Sequence, residues 1–497
     1  MADEIFDVVV IGAGLAGLSA AIEASDAGAK VVILEAAPED QRGGNSRFSN
    51  GAMRAVYHGI EDIVDLVGEL SESERKRADF GAYSRDEYID HMSITSQYRS
   101  DPDLMEIVVD ESRPALLWLR KQGVRFLPLY EWHPVAEDGT IRFAGGSAVE
   151  AQGGGFGVSE ALFSAIAKRG IPVHYETRAV SLIMGDRGAE GVAALQGRKN
   201  IEFRGRAVVV ASGGFEANTE WRTRYIGPGW DLAKVRGSRF NVGDGLRMTL
   251  EAGAVAHGNW SGCHSASWDI NAPDFGDLAL GNIAKRDDFV YGIMVNARGE
   301  RFVDEGFDVR GLTYARMGAE VLKQPGQRAW QIYDAKVSHM LHAEYKQRRA
   351  NRVVAETLEA LAAKLEGMNA PRMLQEIAAY NAATEGNQRA DHTRKDGLST
   401  RGLAIAKSNW ALPIDQGPFE AYEVTCGITF TFGGVKVSTD CQVLDMYDAA
   451  IPGLFAAGEM IGGIFYFNYP GGAGLVSAAV FGRRAGQAVG RFLKERT

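Results

Sequence analysis

Apolar positions along this chain follow two rhythms. Short unbroken runs rich in Val and Ile, Phe6 to Ile11 and Ala207 to Ala211, have the pattern of parallel strands buried on both faces. Val31 to Leu34 and Leu454 to Ala457 read the same way, and strand signals run from Val173 through Val192. Elsewhere the spacing is helical. Residues 60–123 have helical composition, with Leu104, Ile107, Val108, Leu116 and Leu119 at helical intervals. The charge run Glu72 to Arg77 marks a solvated face. Helices are predicted again around Glu160 to Ile166, near 313–323, 353–366 and 371–385, and from Val476 to Phe492. From about Ser261 the pattern changes to aromatic and polar loops with mixed helices, and from Gly427 the glycine-rich strand character returns. The pattern predicts an α/β sheet domain, residues 1–261 and 427–497, interrupted by a second domain over 262–426.

Glycine placement makes the first strand chemically specific. Gly12, Gly14 and Gly17 form G-x-G-x-x-G directly after it, a small-residue helix face (Ala20, Ala21, Ala24) follows, and Glu35 ends the second strand. Gly12 permits a tight turn, Gly14 lets backbone approach a pyrophosphate, and Gly17 allows close helix–strand packing. The helix N-terminus faces phosphate charge, and Glu35 is placed for a ribose. Strand, glycines, helix, strand and acid in this order predict a Rossmann-like dinucleotide site. The loop Arg42 to Arg47, with Gly43, Gly44, Asn45 and Ser46, offers backbone N–H groups and a hydroxyl where a cofactor would lie. A strand running into Ser212-Gly213-Gly214 belongs to the same sheet, and Asp244 is expected near a helix N-terminus. Glu459 follows another strand and glycine, and Gly471, Gly472 and Leu475 precede the last helix.

Composition narrows the class. The 497 residues are enough for more than one core, and 60 glycines suit tight turns better than a helical bundle. A net charge of -10 argues against nucleic acid as a partner. Three scattered cysteines form no disulfide framework or iron–sulfur motif. The acidic start (Asp3, Glu4, Asp7) lacks the basic region of a signal peptide, and the apolar segment 449–467 is interrupted by Glu459 and glycines. A cytoplasmic location without an integral membrane segment is expected.

Taken together, VIGAGLAGLSAA, RGGNSRFSNGAMR, VVASGGF, NVGDGLRM, NARGERFVDEGFDVRGLTYARMG, GITFTFGGVKV, LFAAGEM and FYFNYPGGAGL span the chain. In them the sequence resembles the flavoprotein subunits of fumarate reductase and succinate dehydrogenase and their relatives, nearest the tricarballylate dehydrogenase branch. The resemblance implies a Rossmann-like FAD-binding domain with an inserted α+β capping domain, and substrate between them. Gly12, Gly14, Gly17, Glu35, Gly43, Gly44, Ser46, Glu459 and the Gly471–Gly472 region map onto family FAD contacts. No histidine follows Ser46 where covalently flavinylated relatives carry one, so noncovalent FAD is implied.

Of four family active-site positions, two match. His264 stands at the substrate-histidine position, and Arg310, after Arg301-Phe302-Val303-Asp304-Glu305, stands at the proton-delivering arginine. A second histidine is replaced by Phe430, and a carboxylate-binding arginine by Tyr469. Tyrosine cannot make the bidentate charge-assisted pair an arginine makes. The Tyr-Pro-Gly sequence resembles the ketosteroid dehydrogenases, where a tyrosine hydroxyl polarises a ketone. The expected reaction is oxidation of a CH–CH bond beside a carboxylate or ketone, with Arg310 either in relay with Glu305 or only fixing the substrate electrostatically, and with Tyr314 and Tyr469 as competing acid/base groups. A tricarballylate-like polycarboxylate is the favoured substrate. A cyclic ketone or keto-acid, or the reverse reductase reaction, is the alternative. The electrons would pass to a separate transfer partner or directly to an acceptor.

Overall fold

The computed structural model describes residues 5–136, 138–143, 145–384 and 386–496; Asp3 and Glu4 lie outside the described residues. Val8 to Val10 and Val208 to Val210 are wholly buried, which is why these runs carry no alternation. The strand Ile5–Ile11 pairs in parallel with Val31–Leu34 on one side and Lys199–Val210 on the other. Val173–His174 closes one edge of this sheet. On the other, Ala450–Ala456 runs parallel to Lys199–Val210 and carries Gln442–Leu444. The C-terminal segment therefore completes the sheet the N-terminus begins. Two antiparallel strands, Thr177–Gly185 and Gly188–Gln196, extend from Lys199–Val210.

Two helices start over the same end of this sheet. Leu15–Asp26 follows the first strand, and the final helix, Ala473–Glu495, lies against it. Glycine sets their closeness: a Cβ at Gly482 would stand 2.5 Å from the Ala16 carbonyl oxygen, and one at Gly486 2.4 Å from that of Ala20. Both N-termini thereby point at one cleft.

The second sheet is built on one long strand, Phe419–Val435, which pairs with Lys234–Val235, Ala256–Asp269, Ala329–Tyr333 and Arg352–Ala355. The boundaries expected at 261/262 and 426/427 fall inside strands Ala256–Asp269 and Phe419–Val435. Both strands continue through these positions, so the change in composition there marks a change of neighbour and not a linker. The helix expected near 353–366 is also corrected. Val353 and Val354 are β-branched and join the sheet, leaving a helix only over Leu358–Ala362. Among the described residues no helix is long and apolar enough to cross a membrane.

Candidate functional site

An elongated cleft, about 1760 Å³ of atom-free space with its mouth included, runs from Glu35 to Tyr469. Its first half is built by backbone. Gly12 has φ +99° and a Cβ there would sit 2.5 Å from the Ala211 carbonyl oxygen; a Cβ at Gly17 would sit 2.0 Å from that of Gly12. Gly17 thus acts in helix–strand packing and does not line the cleft, whereas Gly12, Gly14, Gly44, Asn45, Ser46 and Gly213 do. Gly43 lies just behind, where a Cβ would meet the Ser159 hydroxyl at 2.4 Å. Glu35 accepts hydrogen bonds from the N–H groups of Ala13 and Ala37, both at 2.8 Å. A carboxylate offers about four lone-pair sites, so acceptor capacity remains. Asp244 is in the first turn of Asp244–Glu251, as expected, and its carboxylate is held by Arg178 at 2.6 Å. At the opposite side Gly472, Gly474 and Leu475 bring the final helix N-terminus to the cleft. Gly471 does not line it; its carbonyl accepts from Arg54 and Ser147.

Glu459 accepts from the Thr431 N–H at 2.7 Å and sits beside Glu216. Burial raises Glu459 to about 7, against the hydrogen bonds from Thr431. Burial, and then Glu459, push Glu216 well above the usual carboxylate range. Asn45 bridges three segments. Its amide N–H groups reach Glu216 and the Thr429 carbonyl, and its oxygen accepts from the Ser238 N–H at 2.7 Å. These residues fit an FAD: two helix N-termini, an acid at the second strand and backbone donors on both walls converge on one cavity.

The second half of the cleft is built by side chains from separate segments. The antiparallel register pairs His264 with Phe430, and irregularities lie on both sides of that pair. Tyr314 opens the helix Tyr314–Leu322, and Tyr469 lies in the loop before the last helix. Their hydroxyls meet at 2.5 Å. The His264 ring stands 4.9 Å from that of Tyr469 and 5.1 Å from that of Tyr314, centroid to centroid. Phe430, Phe465 and Trp132 complete an aromatic chamber. His264 is 2% exposed, and neither ring nitrogen has a hydrogen-bond partner. Burial, and then the charge of Arg236, hold its pKa well below the ordinary histidine value, so the ring is neutral. Burial also raises both phenols: Tyr314 rises well above its usual value, with Tyr469 adding to the shift, and Tyr469 rises with Arg236 opposing. Both tyrosines are therefore protonated donors at neutral pH.

Arg310 is outside the lining. Its guanidinium bonds Asp288 at 3.0 Å and His342, and reaches the Trp132 carbonyl at 3.5 Å. Burial works against the Asp288 charge, yet His342 and Arg310 draw that carboxyl down to about 2. The expected relay through Glu305 is absent, because Glu305 pairs with Arg301 at 2.5 Å. Three lining residues had no distinguishing motif in the sequence: Arg236, Lys285 and Trp132. Lys285 is buried over the Trp132 ring at 5.0 Å, and burial lowers its pKa against Asp287 and Glu344. The only available signal for Arg236 was a cation between Val235 and Gly237, which many turns share.

A dinucleotide cradle opening into an aromatic chamber with paired phenols and a neutral imidazole defines a flavin-dependent oxidoreductase site. Residues 7–476 match the family described as FAD binding domain, and the chain belongs to that family. It is 29% identical to a probable fumarate reductase of Shewanella frigidimarina, over 97% of this chain and 74% of that protein. It is 26% identical to a 4-oxocyclohexanecarboxylate 2-dehydrogenase of Sinomonas cyclohexanicum, over 97% of this chain and 92% of that one. The structure of a flavocytochrome c3 fumarate reductase in its open conformation superposes with TM-score 0.73 at 26% identity, covering 99% of this chain and 79% of the other. The protein is thus an FAD-dependent oxidoreductase acting on CH–CH groups.

Proposed function

We propose that this enzyme desaturates the bond α,β to a ketone in a cyclic ketone or keto-acid. The observation that carries the reading is the 2.5 Å hydroxyl pair of Tyr314 and Tyr469 inside an aromatic chamber. A ring substrate needs apolar walls, and the ketone oxygen needs a donor where enolate charge develops. Tyr469 donates its O–H to that oxygen, and Tyr314 donates to Tyr469 and keeps its phenol aligned. His264 is the unprotonated group of the cluster and accepts the α proton. FAD, when bound without a covalent link, supplies the hydride acceptor for the β carbon. Glu35, Ser46, Glu459 and the Gly472–Leu475 turn would hold it. The relative that acts on 4-oxocyclohexanecarboxylate supports this choice of substrate class.

A polycarboxylate such as tricarballylate is the second reading, favoured by two buried cations, Arg236 and Lys285, on the chamber wall. One experiment separates the two. Under anaerobic conditions 4-oxocyclohexanecarboxylate is expected to bleach the flavin absorbance and tricarballylate to leave it oxidised. The opposite result overturns the ketone reading.

A further inference from the structure

Arg236 is 8% exposed and lines the cleft beside His264, Tyr314 and Tyr469. Its hydrogen bonds are few and neutral: Nε donates to the Asn282 side-chain oxygen at 2.8 Å, and one terminal nitrogen reaches the Thr429 hydroxyl at 3.4 Å. The Trp268 ring lies 5.6 Å from the guanidinium carbon. Among the described residues no carboxylate comes within ion-pair distance of it. The neighbouring charges are committed elsewhere. Asp288 is bound by Arg310 at 3.0 Å, and Asp287 and Glu344 flank Lys285 at 3.7 and 3.9 Å. A buried guanidinium presents five N–H donors in a planar fork and cannot shed its charge. Leaving it desolvated without an anion is costly, whereas a carboxylate meets two of its donors at once. His264, with both ring nitrogens unpartnered, is a second buried polar group facing the same space.

We infer that the substrate carries a carboxylate, remote from the reacting ketone, and that Arg236 anchors it. This rests on the proposed function for the placing of the ketone under the tyrosine pair. It adds that a neutral cyclic ketone lacks half of what the chamber recognises. The backbone supports such an anchor. The Arg236 N–H donates to the Ile428 carbonyl at 2.7 Å, and Asn45 ties the following residue pair to the same strand. The guanidinium is therefore fixed relative to both the tyrosine chamber and the flavin loop.

The test uses FAD-loaded enzyme and two ligands without a ketone, cyclohexanecarboxylate and cyclohexanecarboxamide, titrated by the change they cause in the flavin absorbance. Wild type is expected to bind the acid at least 30-fold more tightly than the amide. In Arg236→Gln that ratio is expected to fall to within threefold of unity, and in Arg236→Lys to an intermediate value. Equal binding of acid and amide by wild type overturns the inference, as does an undiminished ratio in Arg236→Gln. Flavin content and melting temperature of each variant are recorded alongside. If Arg236→Gln does not hold FAD, the wild-type ratio and Arg236→Lys decide. Failure of the ketone reading has a different signature: 4-oxocyclohexanecarboxylate then shows the same acid-dependent binding but never bleaches the flavin.

Discussion

The two halves of the cleft are made in opposite ways. The flavin half is local and made largely of main chain: glycines, helix N-termini and a few acids that follow strands by a fixed interval. The substrate half is assembled from side chains that sequence keeps far apart. Trp132, Arg236, His264, Tyr314, Phe430 and Tyr469 come from six segments, and strand register sets only the His264–Phe430 pair. Local backbone geometry tolerates little change, whereas a side-chain wall can be rewritten one residue at a time. The family can therefore keep one cofactor site while relatives act on fumarate in one case and 4-oxocyclohexanecarboxylate in another.

That contrast can be broken at several points. The largest effect is expected from Glu35→Arg, which removes the acceptor for the Ala13 and Ala37 N–H groups and puts a cation where a ribose would bind. The variant should purify with almost no flavin, read as the ratio of absorbance at visible and ultraviolet wavelengths; full occupancy would show that the flavin half is not governed by this acid. Next is Tyr469→Phe, which should keep its FAD yet lose about 10²–10³-fold in the rate of anaerobic flavin reduction, the size expected for one donor at a developing oxyanion. Unchanged turnover would take the phenol pair out of the mechanism.

Arg310→Met sharpens the boundary of the site. It leaves the buried Asp288 with His342 alone, and should cost about 3 kcal/mol in a urea titration, the usual scale for breaking a buried pair. A large effect on KM with no loss of stability would return Arg310 to the substrate.

The smallest effect concerns His264. Its folded-state pKa lies below the unfolded value, so between the two the unfolded chain binds more protons. The stability that comes from its staying neutral is complete above about pH 6.5 and is lost as pH falls toward the folded pKa. Wild type should therefore lose up to about 1.4 kcal/mol per pH unit more than His264→Gln below pH 6.5. Parallel melting curves across that range would mean that the ring is not held neutral by its surroundings.

Legibility in the sequence follows the same division. Gly12, Gly17, Glu35, Gly44 and Glu459 could be read because each acts through a spacing that the backbone imposes. Tyr469 and Phe430 could be read as departures at family positions. Arg236, Lys285 and Trp132 could not, since each is an ordinary residue in an irregular segment until the sheets bring it to the chamber. Arg310 lies outside the cleft lining for a related reason. Its motif fixes where the backbone goes, but the partner that takes its charge, Asp288, lies 22 positions earlier in the chain. The expected domain limits fall inside the strands Ala256–Asp269 and Phe419–Val435, because composition reports what a residue packs against and these strands change neighbours without ending.

The irregular ladder around His264 has an evolutionary consequence. His264 pairs with Phe430 and Ser265 with Ile428, so Thr429 is the supernumerary residue, and it is the one that meets both Asn45 and Arg236. A bulge of this kind holds one residue more than the partner strand matches, so losing it would slip the pairing by one. Such an event would exchange which side chains face the chamber along an entire strand, because neighbouring positions point to opposite faces. Substrate range could then shift in a single step, while the glycines that cradle the cofactor stayed untouched.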